Sequence, residues 1–385
     1  MLGPEQVEQT VLQKTVRFVV QFWSLGLLLH LCRTRSGNVC SYLGSLFADW
    51  IASGTPEQVG PRREKQTSVG QGSWFSYVSS EMQGWRPQME DAVVCAPEVD
   101  PKQAESPAVF AVFDGHGGKE VSLRAAERLL SHVAPCLQSA ETPGIALKQA
   151  ILALEEDLRR NSPNGRWNLQ GCTAAVALLA PNSVTVASVG DSRIFKCRDG
   201  KCVPLTRDHK PESPRERKRI EAAGGCVAKF GPCYRVDFCL NMSRALGDFQ
   251  FKDPTMHPDQ QRISPTPDIS TVPIDDRDEF LVIACDGLFE MKTWDTVCEY
   301  IRSRVQSMPL AQIAEGLLDE CCTPNILATD GQGTDNESVI IVTLPGFTGL
   351  PAVEASTRGS SDGTPKSPSS SSERLLGSST PPNFA

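Results

Sequence analysis

A short polar stretch with the residue types of a cation site follows an apolar run in the first third of the chain. The run, residues 109–113, is mostly β-branched or aromatic, and residues 114–118 read Asp-Gly-His-Gly-Gly. Such a run favours a buried strand, and glycines allow a sharp turn that brings backbone carbonyls close to a ligand. The Asp114 carboxylate and the Gly115 carbonyl are oxygen ligands of the kind that Mg²⁺ and Mn²⁺ prefer. The stretch predicts a cation site, although Asp-Gly is also an ordinary turn pair.

The same arrangement recurs further along the chain. Apolar runs at 184–189 and 280–285 lead to Asp191 and Asp286, and Asp335 stands just before the run 338–344. Four aspartates at strand ends are improbable as four independent turns, so we expect one acidic cluster at the edge of a sheet. Clustered carboxylates repel unless cations lie between them, and paired divalent ions recur in phosphoryl chemistry. The pattern predicts two or more divalent metals and a metal-activated water as the nucleophile.

An arginine and a glutamate, Arg86 and Glu90, stand four residues apart upstream of the first of these aspartates. If both face one cleft, the guanidinium offers a bidentate fork for phosphate and the carboxylate offers a metal ligand. A surface ion pair is the alternative interpretation of such spacing. The sequence has no Walker-type phosphate loop, and its Cys-x5-Arg match at 298–304 lacks loop glycines, so a thiol nucleophile is not expected there.

Composition narrows the class of protein. The chain has 385 residues, of which 40% are hydrophobic and 22% charged, enough for one large domain or two smaller ones. The net charge of -8 argues against nucleic acid as the main partner. Fourteen cysteines are scattered without a Cys-x-x-Cys pair, which favours reduced thiols in a cytosolic compartment over disulfides or zinc.

Periodicity then gives the elements that must position the polar residues. Apolar residues recur at helical spacing over 119–133 and 145–158, and a short amphipathic helix is expected within 206–225. Strands are expected at 73–79, 173–179, 184–189, 280–285 and 338–344. Strands therefore deliver each of the candidate aspartates.

Eight motifs in a fixed order resemble the metal-dependent protein serine/threonine phosphatases, the protein phosphatase 2C family, over roughly residues 74–345. The motifs are Gly-Trp-Arg to Met-Glu-Asp at 84–91, Phe-Asp-Gly-His-Gly-Gly at 113–118, Gly-Cys-Thr-Ala at 171–174, Gly-Asp-Ser-Arg at 190–193, Asp-His-Lys-Pro at 208–211, Ser-Arg-Ala-Leu-Gly-Asp at 243–248, Ala-Cys-Asp-Gly at 284–287 and Asp-Asn at 335–336. The resemblance implies an α/β (α+β) fold, a four-layer α-β-β-α sandwich of two central antiparallel β-sheets flanked by helices. It places the metals in a cleft at one end of the sandwich.

The resemblance also implies a ligand set for Mn²⁺ or Mg²⁺, two or three per domain. Asp114 would bridge two ions. Glu90 and the Gly115 carbonyl would complete one site, and Asp286 with Asp335 would complete the other, partly through waters. The water between the two ions would attack the phosphorus of phosphoserine or phosphothreonine in line, without a phosphoenzyme.

Three further residues receive roles by the same resemblance. Asp191 would bind a third, weaker metal together with Asp286. Arg86 would hold the substrate phosphate, and His116 would protonate the leaving serine or threonine oxygen.

The sequence departs from the family pattern at two places. Glu290 stands where relatives commonly carry an aspartate that helps hold the third metal, so the affinity for that metal is in question. Phe238 stands where relatives commonly carry a turn glycine, and Asn241 where they carry alanine. Two other classes remain as alternatives: a phosphatase-like module that binds partners without hydrolysis, and a two-metal phosphodiesterase or nuclease.

We expect three parts: an N-terminal extension at 1–72, a catalytic domain at 73–346 and a disordered Ser/Pro-rich tail at 347–385. The stretch 53–72 is polar and contains Gly and Pro, as linkers do. The apolar run at 18–32 is shorter than a bilayer span, and 43–51 is amphipathic.

The partners and setting follow from these parts. Residues 16–51 are expected to attach to a membrane surface or a partner, with packing on the chain's own domain, a secretion signal or a true membrane span as alternatives. The other expectations are phosphoprotein substrates, no nucleic acid, a monomer and a cytoplasmic setting that includes membrane association through the extension.

Overall fold

The structure is a computed structural model that describes residues 60–100, 106–326, 328–329 and 331–350. The strands, in chain order, are β1 Arg62–Gln71, β2 Ser76–Gly84, β3 Ala92–Ala96, β4 Ala108–Phe113, β5 Gly115–His116, β6 Gly171–Cys172, β7 Ala174–Ala180, β8 Ser183–Val189, β9 Arg193–Arg198, β10 Lys201–Pro204, β11 Val227–Phe230, β12 Cys233–Val236, β13 Leu246–Gly247, β14 Asp268–Pro273, β15 Asp278–Ala284 and β16 Glu337–Thr343. The α-helices are α1 Glu120–Ser139, α2 Pro143–Asn161, α3 Pro214–Ala222, α4 Gly287–Met291, α5 Trp294–Arg302 and α6 Leu310–Cys321.

Two antiparallel sheets form the centre of the molecule. One has the order β1-β2-β16-β15-β9-β10 and the other the order β14-β8-β7-β4-β3. Helices α1 and α2 pack on the outer face of the five-stranded sheet, and α5 and α6 pack on the six-stranded sheet. The four-layer α-β-β-α architecture expected from the sequence is therefore confirmed.

The core follows the periodicity of the sequence. Strands β4 and β16 are buried along their whole length, as expected for strands covered on both faces. In α1, the residues Val121, Ala125, Leu129 and Val133 are fully buried at four-residue spacing, so one stripe of this helix faces the sheet. Helix α2 begins at Pro143 after a Thr142 cap, whose hydroxyl accepts the Ile145 N–H at 3.2 Å. Both helices lie where the apolar spacing predicted them.

A small unit beside the sheets has its own apolar core. It consists of residues 214–242, which contain α3 and the β11–β12 hairpin, and we call it the flap. Its buried side chains include Ile220, Val236 and Leu240, which pack against Phe251 and Ile263. The amphipathic helix expected within 206–225 is α3.

The predicted linker at 53–72 is wrong over residues 62–71, which form β1 and pair with β2 along its length. Its inward-facing side chains are polar because they meet polar partners: Arg63 and Lys65 pair with Asp319 on α6, and Thr67 bonds to Ser80. The compact domain thus includes residues before position 73. The strand expected at 73–79 is β2, which begins and ends later than expected.

Over the described part of the chain, no helix has the length and apolar character needed to cross a membrane. The apolar and amphipathic segments at 18–51, and the tail beyond residue 350, lie outside the described residues.

Candidate active site

Strand register brings three of the candidate ligands to one end of the five-stranded sheet. Ala92 pairs with Phe113, so Glu90 and Asp114 lie at the same end of β3 and β4. Val189, the last residue of β8, pairs with Ala174 at the start of β7, and Asp191 follows there. The segments at these strand ends, which carry Glu90, Asp114 and Asp191, therefore meet at one end of the sheet.

The six-stranded sheet delivers the others to the same end. Ala284 at the end of β15 pairs with Val339 near the start of β16, so Asp286 and Asp335 lie at the same end of these two strands. Glu337 pairs with Met82, which brings the end of β2 and the following Arg86 to this edge as well. The charges of Asp335, Asp114, Glu90 and Asp286 all act on the Arg86 guanidinium. The aspartates expected to cluster therefore do so.

Thr173 links two of the carboxylate-bearing turns. Its hydroxyl accepts the Asp114 N–H at 3.1 Å, and its own N–H donates to the Asp114 carbonyl at 2.9 Å. The same hydroxyl lies 2.6 Å from that of Ser192, the residue after Asp191. The Gly-Cys-Thr-Ala motif thus fixes the spacing between the Asp114 and Asp191 turns.

Asn336 has a similar role on the other side of the cleft. Its side-chain oxygen accepts the Glu90 N–H at 2.9 Å, and its amide nitrogen donates to the carbonyls of Gln83 at 2.8 Å and Gln88 at 3.1 Å. The buried Asn336 side chain therefore holds both ends of the segment 83–90, which contains Arg86, beside Asp335.

Position 115 requires glycine because of a close backbone approach. A Cβ on Gly115 would lie 2.2 Å from the Glu90 carbonyl oxygen, and the Ser122 hydroxyl donates to that same oxygen. Any side chain here would push apart the two backbone segments that carry Glu90 and Asp114.

The electrostatics of the cluster oppose ionisation of its inner members. Burial raises the pKa of Asp114 well above its ordinary range, and the charges of Asp91 and Asp286 raise it further. Burial raises the pKa of Asp286 likewise, followed by the charges of Asp191 and Asp335. Carboxylates that repel each other in a buried place are stabilised by a cation between them.

Two side-chain cations engage the outer aspartates. An Arg86 Nη atom lies 2.6 Å from Asp335 Oδ2, and Lys210 Nζ pairs with Asp191 Oδ2. The other Asp191 oxygen, Oδ1, is buried without a protein hydrogen-bond partner. Partial desolvation by the surrounding protein lowers the pKa of Arg86, but the neighbouring carboxylates outweigh it and the net direction is upward. Arg86 therefore stays charged while its side chain is about half exposed, at 48%.

The donors present fit a hard divalent cation. They are carboxylate oxygens and the Gly115 carbonyl, with one buried aspartate oxygen left without a partner. In the described part of the chain, no three acidic, histidine or cysteine side chains already converge as a formed metal site. Arg86 and Lys210 hold Asp335 and Asp191 instead, so cation binding at those two residues competes with two ion pairs.

One functional contact was missed in the sequence. His116 Nε2 lies 2.7 Å from Asp248 Oδ2, and the Asp248 side chain is fully buried. Burial lowers the pKa of His116, but the adjacent Asp248 outweighs it, so this pKa lies above its ordinary value. The contact needs the glycine at 171, where a Cβ would lie 2.2 Å from Asp248 Oδ2. The Leu-Gly-Asp end of the motif at 243–248 was the only sequence signal for Asp248.

The Glu290 carboxylate is held by the backbone of the loop that precedes Asp335. Its Oε2 accepts the backbone N–H of Gly333 at 2.8 Å, and the Thr334 backbone hydrogen-bonds to the same carboxylate. In the structure this carboxylate is thus bonded to the backbone of the loop before Asp335.

Comparisons with known proteins agree with this geometry. The family model described as "Protein phosphatase 2C" matches residues 75–327. "Protein phosphatase 2C homolog 2" of Aspergillus fumigatus is 39% identical over 293 residues, which are 72% of this chain and 66% of that protein. The chain thus spans about two thirds of that relative. "Probable protein phosphatase 2C 3" of Paramecium tetraurelia is 35% identical over 303 residues, covering 74% of this chain and 97% of the relative.

A solved structure is also similar. It is the crystal structure of a phosphatase from a pathogenic strain of Toxoplasma gondii, with a TM-score of 0.62 and 27% identity, covering 74% of this chain and 96% of that one. The resemblance recognised in the eight motifs is confirmed by the family model, by these relatives and by the fold of the solved structure. The chain belongs to the protein phosphatase 2C family, the Mn²⁺- or Mg²⁺-dependent enzymes that dephosphorylate serine and threonine in phosphoproteins.

Proposed function

We propose that this phosphatase hydrolyses phosphoserine and phosphothreonine in proteins by direct attack of water, without a phosphoenzyme. The observation that carries the proposal is the meeting of carboxylates from both sheets beside Arg86 at one end of the sandwich. Such a cluster has no structural use by itself, because its members repel each other.

The proposed ligands are those expected from the sequence. Glu90, Asp114 and the Gly115 carbonyl would hold one Mn²⁺ or Mg²⁺, and Asp114, Asp286 and Asp335 a second. When bound, the two cations neutralise the phosphoryl charge and lower the pKa of a nearby water. A third cation would bind more weakly at Asp191 and Asp286, because position 290 carries glutamate where relatives commonly carry an aspartate.

Arg86 and His116 would act on the substrate. The Arg86 guanidinium is accessible and charged, so it would orient the phosphate by charge-assisted hydrogen bonds. His116 holds Asp248 through Nε2, and its Nδ1 has no protein partner. The His116 ring would give a proton to the leaving serine or threonine oxygen, while Asp248 stabilises its charged form.

The test is phosphate release from a phosphothreonine peptide by the full chain with Mn²⁺, with Mg²⁺ and with EDTA. Asp114→Asn is measured in parallel, with Asp199→Asn as the matched control, since Asp199 lies exposed in the turn after β9, at the end of that strand away from Asp191. We expect turnover that EDTA and Asp114→Asn abolish and Asp199→Asn preserves. A folded chain that binds the peptide at saturating Mn²⁺ without releasing phosphate would favour the non-catalytic class.

The setting and assembly are proposed on the sequence. We place the enzyme in the cytoplasm, as a monomer attached to a membrane surface or a partner through residues 16–51. Support comes from the apolar run at 18–32 and the amphipathic stretch at 43–51. Loss of membrane or partner co-sedimentation on deletion of residues 16–51, with turnover unchanged, is the expected result.

A further inference from the structure

Glu290 belongs to the short helix α4, which begins directly after Asp286. From there its carboxylate reaches across to the loop that precedes Asp335. The Gly333 N–H donates to Glu290 Oε2 at 2.8 Å, and the Thr334 backbone hydrogen-bonds to the same group. One glutamate thus holds two consecutive amides immediately before a candidate metal ligand.

The loop fits tightly at this point. Gly333 has a φ of +69°, and a Cβ on it would lie 2.4 Å from the Cys321 carbonyl oxygen. Its own carbonyl accepts the Thr323 N–H at 2.9 Å. The backbone of this segment is therefore fixed on one side by the end of α6 and on the other by Glu290.

The first turn of α4 touches the residue that follows. A Cβ on Gly287 would lie 2.2 Å from the Asn336 carbonyl oxygen and 3.4 Å from the Asp335 Cβ. Asp286 is bound to α4 by chain connectivity, and its carbonyl accepts the Phe289 N–H at 2.8 Å. Helix α4 therefore contacts the Asp335 segment at both of its ends, through Gly287 and through Glu290.

We propose that Glu290 is a positioning residue, which fixes Asp335 relative to Asp286 by holding the amides of Gly333 and Thr334, and that it does not bind a cation itself. The inference rests on the proposed function only in taking Asp286 and Asp335 as ligands of one cation. It assigns Glu290 a role different from the one its place in the sequence suggested.

Side-chain length is the physical reason. The glutamate has one methylene more than aspartate, and its Oε2 reaches the loop amides from the last turn of α4. An aspartate at this position would stop short of those amides. A glutamine would still present an oxygen acceptor at the same reach, without the charge that a cation ligand needs.

The experiment measures Mn²⁺ binding to the full chain by titration calorimetry and amide hydrogen exchange at residues 331–336. The variants are Glu290→Gln, Glu290→Ala and Glu290→Asp, and Glu299→Ala on the exposed side of α5 is the control. We expect Glu290→Ala to weaken Mn²⁺ binding by about tenfold, as loss of a residue behind a metal ligand does. It should also speed exchange at Gly333 and Thr334.

Glu290→Gln should keep Mn²⁺ affinity within about threefold and preserve slow exchange, because a neutral oxygen still accepts both amides. Glu290→Asp should behave like Glu290→Ala. If Glu290→Ala does not fold, the Mn²⁺ affinities and amide exchange rates of Glu290→Gln and Glu290→Asp are compared instead. Equal loss of Mn²⁺ affinity in Glu290→Gln and Glu290→Ala, with normal affinity in Glu290→Asp and unchanged amide exchange in all three variants, would make Glu290 a cation ligand and overturn the inference. Affinity unchanged in all three variants would overturn it too.

These measurements do not require turnover. A parent chain that binds Mn²⁺ and shows the expected variant pattern but releases no phosphate contradicts the proposed function alone. A parent chain that releases phosphate while the variants fail to show the pattern contradicts this inference alone.

Discussion

In the cleft, Asp114 and Asp286 lie among other carboxylates, whereas in the flap Glu216 lies among arginines. Burial and negative neighbours raise the pKa of both aspartates well above its ordinary range. Burial also opposes ionisation of Glu216, but hydrogen bonds from Arg244 and the charge of Arg219 outweigh it and lower its pKa to about 2. The same fold therefore places acids in two opposite electrostatic environments.

The contacts explain the difference. Glu216 Oε1 lies 2.7 Å from Arg244 Nη2, its Oε2 accepts the Ser243 hydroxyl at 2.7 Å, and Arg219 pairs with Oε2 as well. No such set of donors surrounds Asp114 or Asp286 in the described residues. A buried acid whose oxygens are all paired with cationic or hydroxyl donors has a structural role. An acid that lies among other acids without such donors is a candidate for binding a cation.

Neutralising an acid in the cleft should produce the largest effect and should separate activity from stability. For Asp286→Asn we expect phosphate release to fall by at least about 100-fold, because a proposed cation ligand is lost. Stability in EDTA should rise, because the amide removes repulsion from Asp191 and Asp335. Peptide dephosphorylation with Mn²⁺ and urea unfolding in EDTA measure the two effects, with Asp199→Asn as control. A variant less stable than the parent in EDTA would contradict the cleft side of the comparison.

Much of the cleft was predictable because its signals are local. Each aspartate adjoins an apolar strand in sequence, so residues such as Asp114 and Asp286 could be assigned to strand ends, and the antiparallel pairing then brings those ends together. Helices α1 and α2 were predictable because their apolar spacing is regular over many turns.

The parts that were not predicted depend on contacts between distant residues. Strand β1 is polar on both faces, and only its pairing with β2 and with Asp319 makes it a strand. The partner of His116 is 132 residues away and needs a left-handed backbone at Asp248, with a φ of +49°. The role of Glu290 depends on backbone amides, which carry no sequence signature.

Removing the flap acid should cost stability where removing the cleft acid does not. Glu216→Gln removes the buried acid that pairs with both Arg219 and Arg244, and it leaves the 2%-exposed Arg244 only the partly exposed Asp268 as a charge partner. Breaking one side of a buried ion pair costs about 3–5 kcal/mol, so we expect a loss of that size in urea unfolding. Glu221→Gln, on the exposed face of the same helix, should change stability by less than about 0.5 kcal/mol. An equal effect of the two variants would show that the flap network is not a stabilising one.

The pH dependence of stability tests the same network in the unmodified protein. The pKa of Glu216 falls from 4.5 to about 2 on folding, so its contribution is complete above pH 4.5 and is lost as the pH falls toward 2. The full contribution is about 3 kcal/mol, of which about 2 kcal/mol should be lost between pH 7 and pH 3. The stability difference between the parent and Glu216→Gln should therefore shrink by that amount at pH 3. A difference that stays constant with pH would contradict a lowered pKa.

The smallest effect concerns strain that the flap carries beside its ion network. Asp237 and Phe238 have φ values of +50° and +63°, a left-handed pair in the turn after β12, and Phe238 stands where the resemblance led us to expect glycine. Left-handed backbone costs a residue with a Cβ about 1 kcal/mol, so Phe238→Gly should raise the free energy of unfolding by about that amount. Phe238→Ala is the control, because it removes the ring but keeps the Cβ. In urea unfolding, we expect the free energy of unfolding of Phe238→Gly to exceed that of Phe238→Ala by about 1 kcal/mol. If both variants instead lower stability equally, packing of the ring outweighs strain, and the flap then depends on Phe238 as it does on Glu216.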